Sequence, residues 1–431
     1  MPRSFCVVLL ALPAVLPACH SPQPAFANEP SVALGTEAPD WDAVFARTAG
    51  WTGADAVYSV DLGDGRTLWL FGDTWIGSVA DGKHAPGSRL INNSIAVHRT
   101  PPVGSARPPA PDEIAFHWGP DDSDRKPTAW IVPDPSRVNS GDGAAEEGAG
   151  TGWYWPGDGV VVAKGSGRRA KLVLFLSRIG KRPGDHGVWG FKSVGGAVAV
   201  VDDPHRPARL WHVEQHDNPH VIDTDMAAGD SNLREISWGA AVFHEPTSGS
   251  PHGGYLYIYG IKEQGPWNKQ LLLARVRADT VERFDAWRFY TSDGGWSADL
   301  SDAGAIADHV VNELSVERVT IRGRRMLIMV HSESLFGDRI LLRLAENPQG
   351  PWSKPIGVYE VPGIRKNKTY FTYAAKGHAH LSRQGELLIS YVINAHDFRA
   401  MVADASIYRP RFIRVPLDRL VLTGGPGESG P

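Results

Sequence analysis

Asp55, in TGADAVYSV, and Asp73, in TLWLFGDTW, each stand at the end of a short apolar run. In an antiparallel pair the first strand starts where the second finishes, so these two carboxyl groups are expected side by side on one rim. Such a pair suits glycosidic cleavage: one acid protonates the leaving oxygen, while the other carboxylate attacks the anomeric carbon or activates water. Proximity pushes their pKa values apart, leaving one protonated and one charged near neutrality. A separation of about 5 to 5.5 Å favours attack and retention of configuration, about 6.5 to 9.5 Å inversion; touching strand ends predict retention. Each residue also has a plainer reading. Asp73 in G-D-T could cap its own turn, and Asp55 precedes an apolar strand, where an unpartnered carboxylate is costly.

Other polar and aromatic groups are expected around the pair. Arg89, Asn92 and Asn93 can hold sugar hydroxyls, and Trp75, Trp155 and Trp238 can stack on a sugar face. Aligned strand starts bring Asp158, Trp238, Glu313 and His378 to the same mouth, and aligned strand ends bring His331 and Asn394. Asp158 and Glu313 suit a structural role equally well. Tryptophan usually packs in a core, and the 15 here are open to that reading too. His378 and His380, two apart on an expected strand, would point the same way. Without a third ligand they define no metal site, so neither metal nor cofactor is assigned; only a structural ion in a central channel is conceivable.

The elements that position these residues recur five times. Second strands read TLWLFG from Thr67, KLVLFL from Lys171, YLYIYG from Tyr255, MLIMV from Met326 and ELLISYV from Glu386. First strands are expected to start at Asp55, Asp158, Trp238, Glu313 and His378. Repeats of three or four short strands at a spacing of roughly 60 to 100 residues indicate radial blades, since one small sheet cannot bury both faces alone. The expected fold is all-β, a five-bladed β-propeller with four-stranded antiparallel blades. It would occupy residues 46–420 as one domain, after an N-terminal linker at 28–45 and before a disordered tail at 421–431. A Pro-, Gly- and acid-rich insertion at about 100–150 lies between blades one and two, and within it only Glu113 to Trp118 resembles a strand, the outer strand of blade one, followed by a long loop.

The chain opens as an export signal over residues 1–27. MPR precedes an apolar stretch from Ser4 to Ala18 that is too short to span a bilayer comfortably. LPAC, ending at Cys19, reads as a lipobox with Cys19 as the lipid attachment site; Ala25-Phe26-Ala27 is a competing cleavage site. The other cysteine, Cys6, lies inside the signal, so the mature domain would contain neither a disulfide nor a thiolate nucleophile. An exported protein is expected, an outer-membrane or periplasmic lipoprotein or a secreted one, touching membrane only through that lipid. A formal charge of −4 without a long Lys/Arg run gives no footprint for nucleic acid. A polysaccharide or oligosaccharide is the expected partner, and the protein is expected to be a monomer.

The segment GWTGADAVYSVDLGDGRTLWLFGDTWIG, followed by RLINNSIAV, resembles the opening of a bacterial family of secreted five-bladed propellers of formerly unknown function, some of which are endo-D-arabinanases. NELSVERV, and GHAHLS with ELLISYVIN, extend the resemblance from about Gly50 to Tyr408. It implies a glycoside hydrolase cleaving a furanosidic polysaccharide, D-arabinan first, with Asp55 and Asp73 as its carboxylates. Arabinanase, levansucrase and invertase propellers are more distantly similar, with acids on the first strands of blades one to three. This chain departs from them at blade three, where Trp238 stands and the nearest acid is Glu235. Two other classes stay open. A non-catalytic carbohydrate-binding propeller lipoprotein would keep the aromatic and amide groups without needing a close carboxylate pair. TSDGGW at Thr291 resembles a sialidase Asp-box, but it occurs once.

Overall fold

The computed structural model describes residues 34–100, 107–135, 152–162, 170–182, 184, 190–247, 253–265, 268–334, 336–367 and 369–420. The expected signal, its lipobox cysteine Cys19, much of the insertion and the tail lie outside the described residues.

The chain is mostly β, built from antiparallel sheets whose strands follow one another in sequence. The first sheet runs Tyr58–Asp61, Arg66–Phe71, Ser94–Arg99, Ile114–His117. The second runs Trp153–Val162, Lys171–Lys181, Phe191–Asp202, Val213–Asp217. A third begins Ile236–Glu245, Tyr255–Glu263, Lys269–Arg277, Arg288–Tyr290, and the fourth runs Leu314–Ile321, Arg324–Ser332, Arg339–Ala345, Ile356–Glu360. In the fifth, Tyr370–Gly377, Glu386–Ala395 and Pro410–Pro416 are joined by Thr36–Glu37 from the other end of the chain. Second strands such as Arg66–Phe71 and Lys171–Lys181 are continuous apolar runs because both faces are covered by neighbouring sheets. A smaller sheet of Ala49–Ala54, Thr74–Ala80 and Arg89–Ile91 extends beyond the first.

First strands face a common space. Tyr58, Asp158, Val242, Ser315 and Lys376, one from each of the five sheets, line the same cavity of about 520 Å³. Three of these strands break register at one level, between Pro156 and Gly159, Trp238 and Ala241, and Tyr373 and Lys376. In the first sheet, Asp55, Ala56 and Val57 occupy the equivalent gap between Ala54 and Tyr58. Breaks of this kind re-aim side chains at a sheet's end.

Two expectations fail here. Residues 34–45 are not a linker: Thr36–Glu37 completes the fifth sheet, and the helix Pro39–Phe45 buries Trp41, Val44 and Phe45. Proline in the first turn and Asp40 and Asp42 beside it suit a helix start. Trp41, Val44 and Phe45 share one face, and Phe45 meets Trp51, Trp69 and Phe412 at ring separations of 5.9, 5.2 and 5.5 Å. The first strand of the fifth sheet is Tyr370–Gly377, not the segment from His378. Its aromatic and threonine-rich YFTY suits a pleated, buried surface, whereas His378 precedes a single 3₁₀ turn, Ala379–Leu381. His378 and His380 therefore share no strand face.

Candidate active site

Asp55 and Asp73 meet at one end of the first sheet. The Asp55 N–H donates to the Asp73 carbonyl at 3.3 Å, and the Asp55 carbonyl accepts from Gly72 at 3.1 Å and Val57 at 2.9 Å. Gly72 leaves the room this needs, since a Cβ there would lie 2.4 Å from Asp55 Oδ1. Behind Asp55 the backbone is strained: Ala56 and Val57 have φ of 66° and 60°, a region unfavourable to a β-branched residue.

The two carboxyl groups have different surroundings. Asp55 Oδ2 accepts two hydroxyls, from Tyr373 at 2.6 Å and Tyr408 at 2.7 Å. Asn394 supports one of them, donating through Nδ2 to the Tyr373 oxygen at 3.3 Å. Asp73 Oδ1 accepts from the Trp155 indole at 2.8 Å and, at 3.5 Å, from Asn92. Burial pushes Asp55 up to about 8, helped by the charges of Asp73 and Glu313 and opposed by the two tyrosine hydroxyls. Burial also raises Asp73, to about 6, against the donors Trp155 and Asn92. Two interacting acids titrate as a unit, and this pair retains a proton at neutral pH.

Further groups border the pair. Half-buried Glu313 lies 3.5 Å from the fully buried Lys376 ammonium. Lys376 Nζ also donates to the Ala374 carbonyl at 3.3 Å and sits 4.2 Å from the centre of the Tyr58 ring. Asp158 lies in the register break of the second sheet and lines the common cavity. Its oxygens accept from the N–H groups of Gly159 and Val242, both at 2.8 Å, tying the second sheet to the third. Burial raises it to about 7.

Several residues expected to bind substrate are placed inside the packing. Trp75 stacks on His84 at 4.4 Å, and Trp238 donates its indole N–H to the His220 carbonyl while packing on Phe289. Both are buried. Asn93 donates to the carbonyls of Ile131 and Tyr154 and accepts from Ile131 N–H, so it clamps the segment after the first sheet. Arg89 pairs with Asp122 at 2.9 Å. His331 hydrogen-bonds the Ser332 carbonyl and receives the Arg343 guanidinium at 3.3 Å; burial holds it down at about 3. His378 spends one nitrogen on Ser59 at 2.6 Å and the other on Ser390 at 2.9 Å, stitching the first sheet to the fifth. His380 is held at about 4 by burial. Among the described residues no group of three or more His, Cys, Asp or Glu is arranged to hold a metal ion.

Of the expected residues, the structure thus gathers Asp55, Asp73, Asn92, Trp155 and Asn394 into one hydrogen-bonded cluster, with Glu313 near enough to act on Asp55 by its charge. Sequence reasoning missed Tyr373, Lys376 and Tyr408. The alternation in TYFTYAAKG marks a strand, and extending the repeat to it would have placed Tyr373 beside the rim.

Residues 39–417 match the sequence profile of a family described as a domain of unknown function, DUF5005. Among curated proteins no sequence matches. A Bacteroides ovatus protein described only provisionally as a hydrolase superposes with a TM-score of 0.61 and 17% identity, over 88% of this chain and 89% of that one. That likeness is one of fold. An exo-β-1,3-galactanase from Phanerochaete chrysosporium gives a TM-score of 0.41 at 10% identity, over 86% of this chain and 64% of that one. The Trypanosoma rangeli sialidase gives 0.39 at 12% identity, over 84% of this chain and 44% of that one. Scores this low decide nothing about the chemistry.

Proposed function

The chain belongs to the DUF5005 family, whose description assigns no activity, and from the site itself we propose a glycoside hydrolase that uses Asp55 and Asp73 as its carboxylate pair. One observation carries this reading: two half-buried carboxyl groups on paired backbone, each with its own set of donors, both raised towards neutral pH. An acid near neutrality can give its proton to a leaving oxygen, and a neighbouring anion can attack or activate water. A non-catalytic sugar-binding module needs neither such a pair nor strained backbone at Asp55.

In this reading the five sheets around the shared cavity are the blades of a five-bladed propeller. Trp155 and Asn92 orient Asp73, and Tyr373, Tyr408 and Asn394 orient Asp55. The substrate is an arabinofuranose polymer, D-arabinan first, cut internally with retention of configuration by a monomeric enzyme. Cys19 carries a lipid that keeps the exported protein at the cell envelope. The test is release of reducing sugar from a panel of furanosidic and pyranosidic polymers, with NMR of the first-formed anomer. Cleavage of D-arabinan with retention is expected. Activity on a pyranoside alone would remove the substrate assignment, and inactivity on every polymer would remove the hydrolase. For the anchor, membrane partitioning lost in Cys19→Ala is expected, and an unlipidated mature chain beginning at Asn28 would exclude it.

A further inference from the structure

Lys376 is the cation that meets the acids at the mouth. Its side chain is 1% exposed, and it stands on the first strand of the fifth sheet, two residues beyond the left-handed Ala374 (φ 58°). Filling that space needs no charge, and burying an ammonium is unfavourable unless its surroundings compensate. Burial pushes the Lys376 pKa down, and its surroundings oppose this in part: Nζ faces the Glu313 carboxylate at 3.5 Å, the Ala374 carbonyl at 3.3 Å and the ring face of Tyr58 at 4.2 Å. All three attract positive charge. Tyr58 cannot turn its hydroxyl towards the ammonium, because it donates to the Ala240 carbonyl of the third sheet at 3.2 Å.

We infer that Lys376 is a positioning residue, which with Glu313 forms a charge pair that sets how firmly Asp55 holds its proton. This deepens the hydrolase reading and rests on it. Lys376 stands three residues along the same strand from Tyr373, whose hydroxyl reaches Asp55 at 2.6 Å; there the Glu313 carboxylate is a like charge that holds the Asp55 proton on, while Asp55 and Lys376, as opposite charges, favour each other's charged form. The other ionisable neighbours are Asp73 on the first sheet, Asp158 on the second, Glu317 on the fourth, and Tyr373 and Tyr408 from the fifth. None supplies a second positive charge. The pair therefore acts as a counterweight: Glu313 keeps a proton available on Asp55 for the leaving oxygen, and Lys376 keeps that proton from being held too tightly to give up.

The test reads Asp55 directly, by NMR titration of protein carrying carbon-13-labelled aspartate carboxyls, with Asp55→Asn used to assign the signal. Lys376→Met should raise the Asp55 midpoint and Glu313→Gln should lower it, each by about half a pH unit or more. The double variant should fall between them. An Asp55 midpoint unmoved by both single changes, or moved the same way by both, overturns the inference. If Lys376→Met does not fold, a folded Lys376→Met/Glu313→Gln protein supports the pair. An unfolded double variant assigns Lys376 to packing and overturns it. The titration needs no substrate, so opposite shifts in a protein that cleaves no polysaccharide would fault the hydrolase reading alone.

Discussion

At the scale of single residues the site rests on donors that distinguish two otherwise similar acids. Asp55→Asn and Asp73→Asn should each lower turnover by about 100-fold or more, while thermal melting stays within a few degrees of wild type. A variant keeping a tenth of wild-type activity would remove its residue from the chemistry. Tyr373→Phe is the finer probe. It deletes a 2.6 Å hydrogen bond that favours the charged form of Asp55. The pH-rate limb belonging to Asp55 should move to higher pH, and kcat/KM should fall about 10- to 100-fold, the worth of a hydrogen bond to a charged group. An unshifted limb would mean that the hydroxyl only packs. The aspartates were legible in the sequence because the strand-end rule concerns neighbouring segments. The tyrosines were not, since they reach Asp55 from 318 and 353 residues away, across the closure of the chain.

At the scale of elements, second strands were readable because burial on both faces leaves continuous apolar runs, as in Lys171–Lys181. First strands were harder to read, because register breaks such as Gly157-Asp158 and Ala374-Ala375 disturb the alternation that would reveal them. That is why the fifth first strand was displaced onto His378. The helix Pro39–Phe45 shows the same limit, because seven residues give too short a period to stand out. Phe45→Ala should cost about 3–5 kcal/mol in denaturant unfolding, the usual loss for a fully buried aromatic. A loss below about 1 kcal/mol would return the segment to the status of a linker. Asn93→Ala should cost about 3 kcal/mol or more, because it strands the Ile131 N–H and the carbonyls of Ile131 and Tyr154. Retained turnover in that variant below its melting temperature would agree with a clamp. Lost turnover in a fully folded variant would return Asn93 to the substrate.

At the scale of the whole molecule, the sheets bring acids together around a space with few cations, and this makes stability depend on pH. Burial raises Asp158 and Glu317 to about 7, Asp73 to about 6 and Asp55 to about 8. For a carboxyl raised in the folded state, the stabilising contribution is complete below its unfolded pKa and is lost as pH rises through the folded value. The buried histidines act in the opposite sense: His84 and His380 are held at about 4 and His331 at about 3, so their contribution is complete above about 6.5 and is lost on acidification. Above pH 6.5 these histidines have finished titrating and the carboxyls have not, so the melting temperature should fall as pH rises from about 6.5 to about 8.5. Glu317 isolates the effect. Its Oε1 accepts from the Ala379 N–H at 2.7 Å, but its buried Oε2 has no hydrogen-bond partner. Glu317→Gln keeps the acceptor and removes the charge, so it should raise melting at pH 6.5 and raise it further at pH 8.5, flattening the alkaline decline. Calorimetry across that range decides the matter: a wild-type melting temperature that holds or climbs above pH 6.5, or a Glu317→Gln protein with the wild-type slope, would show that these buried acids do not govern the stability of the fold.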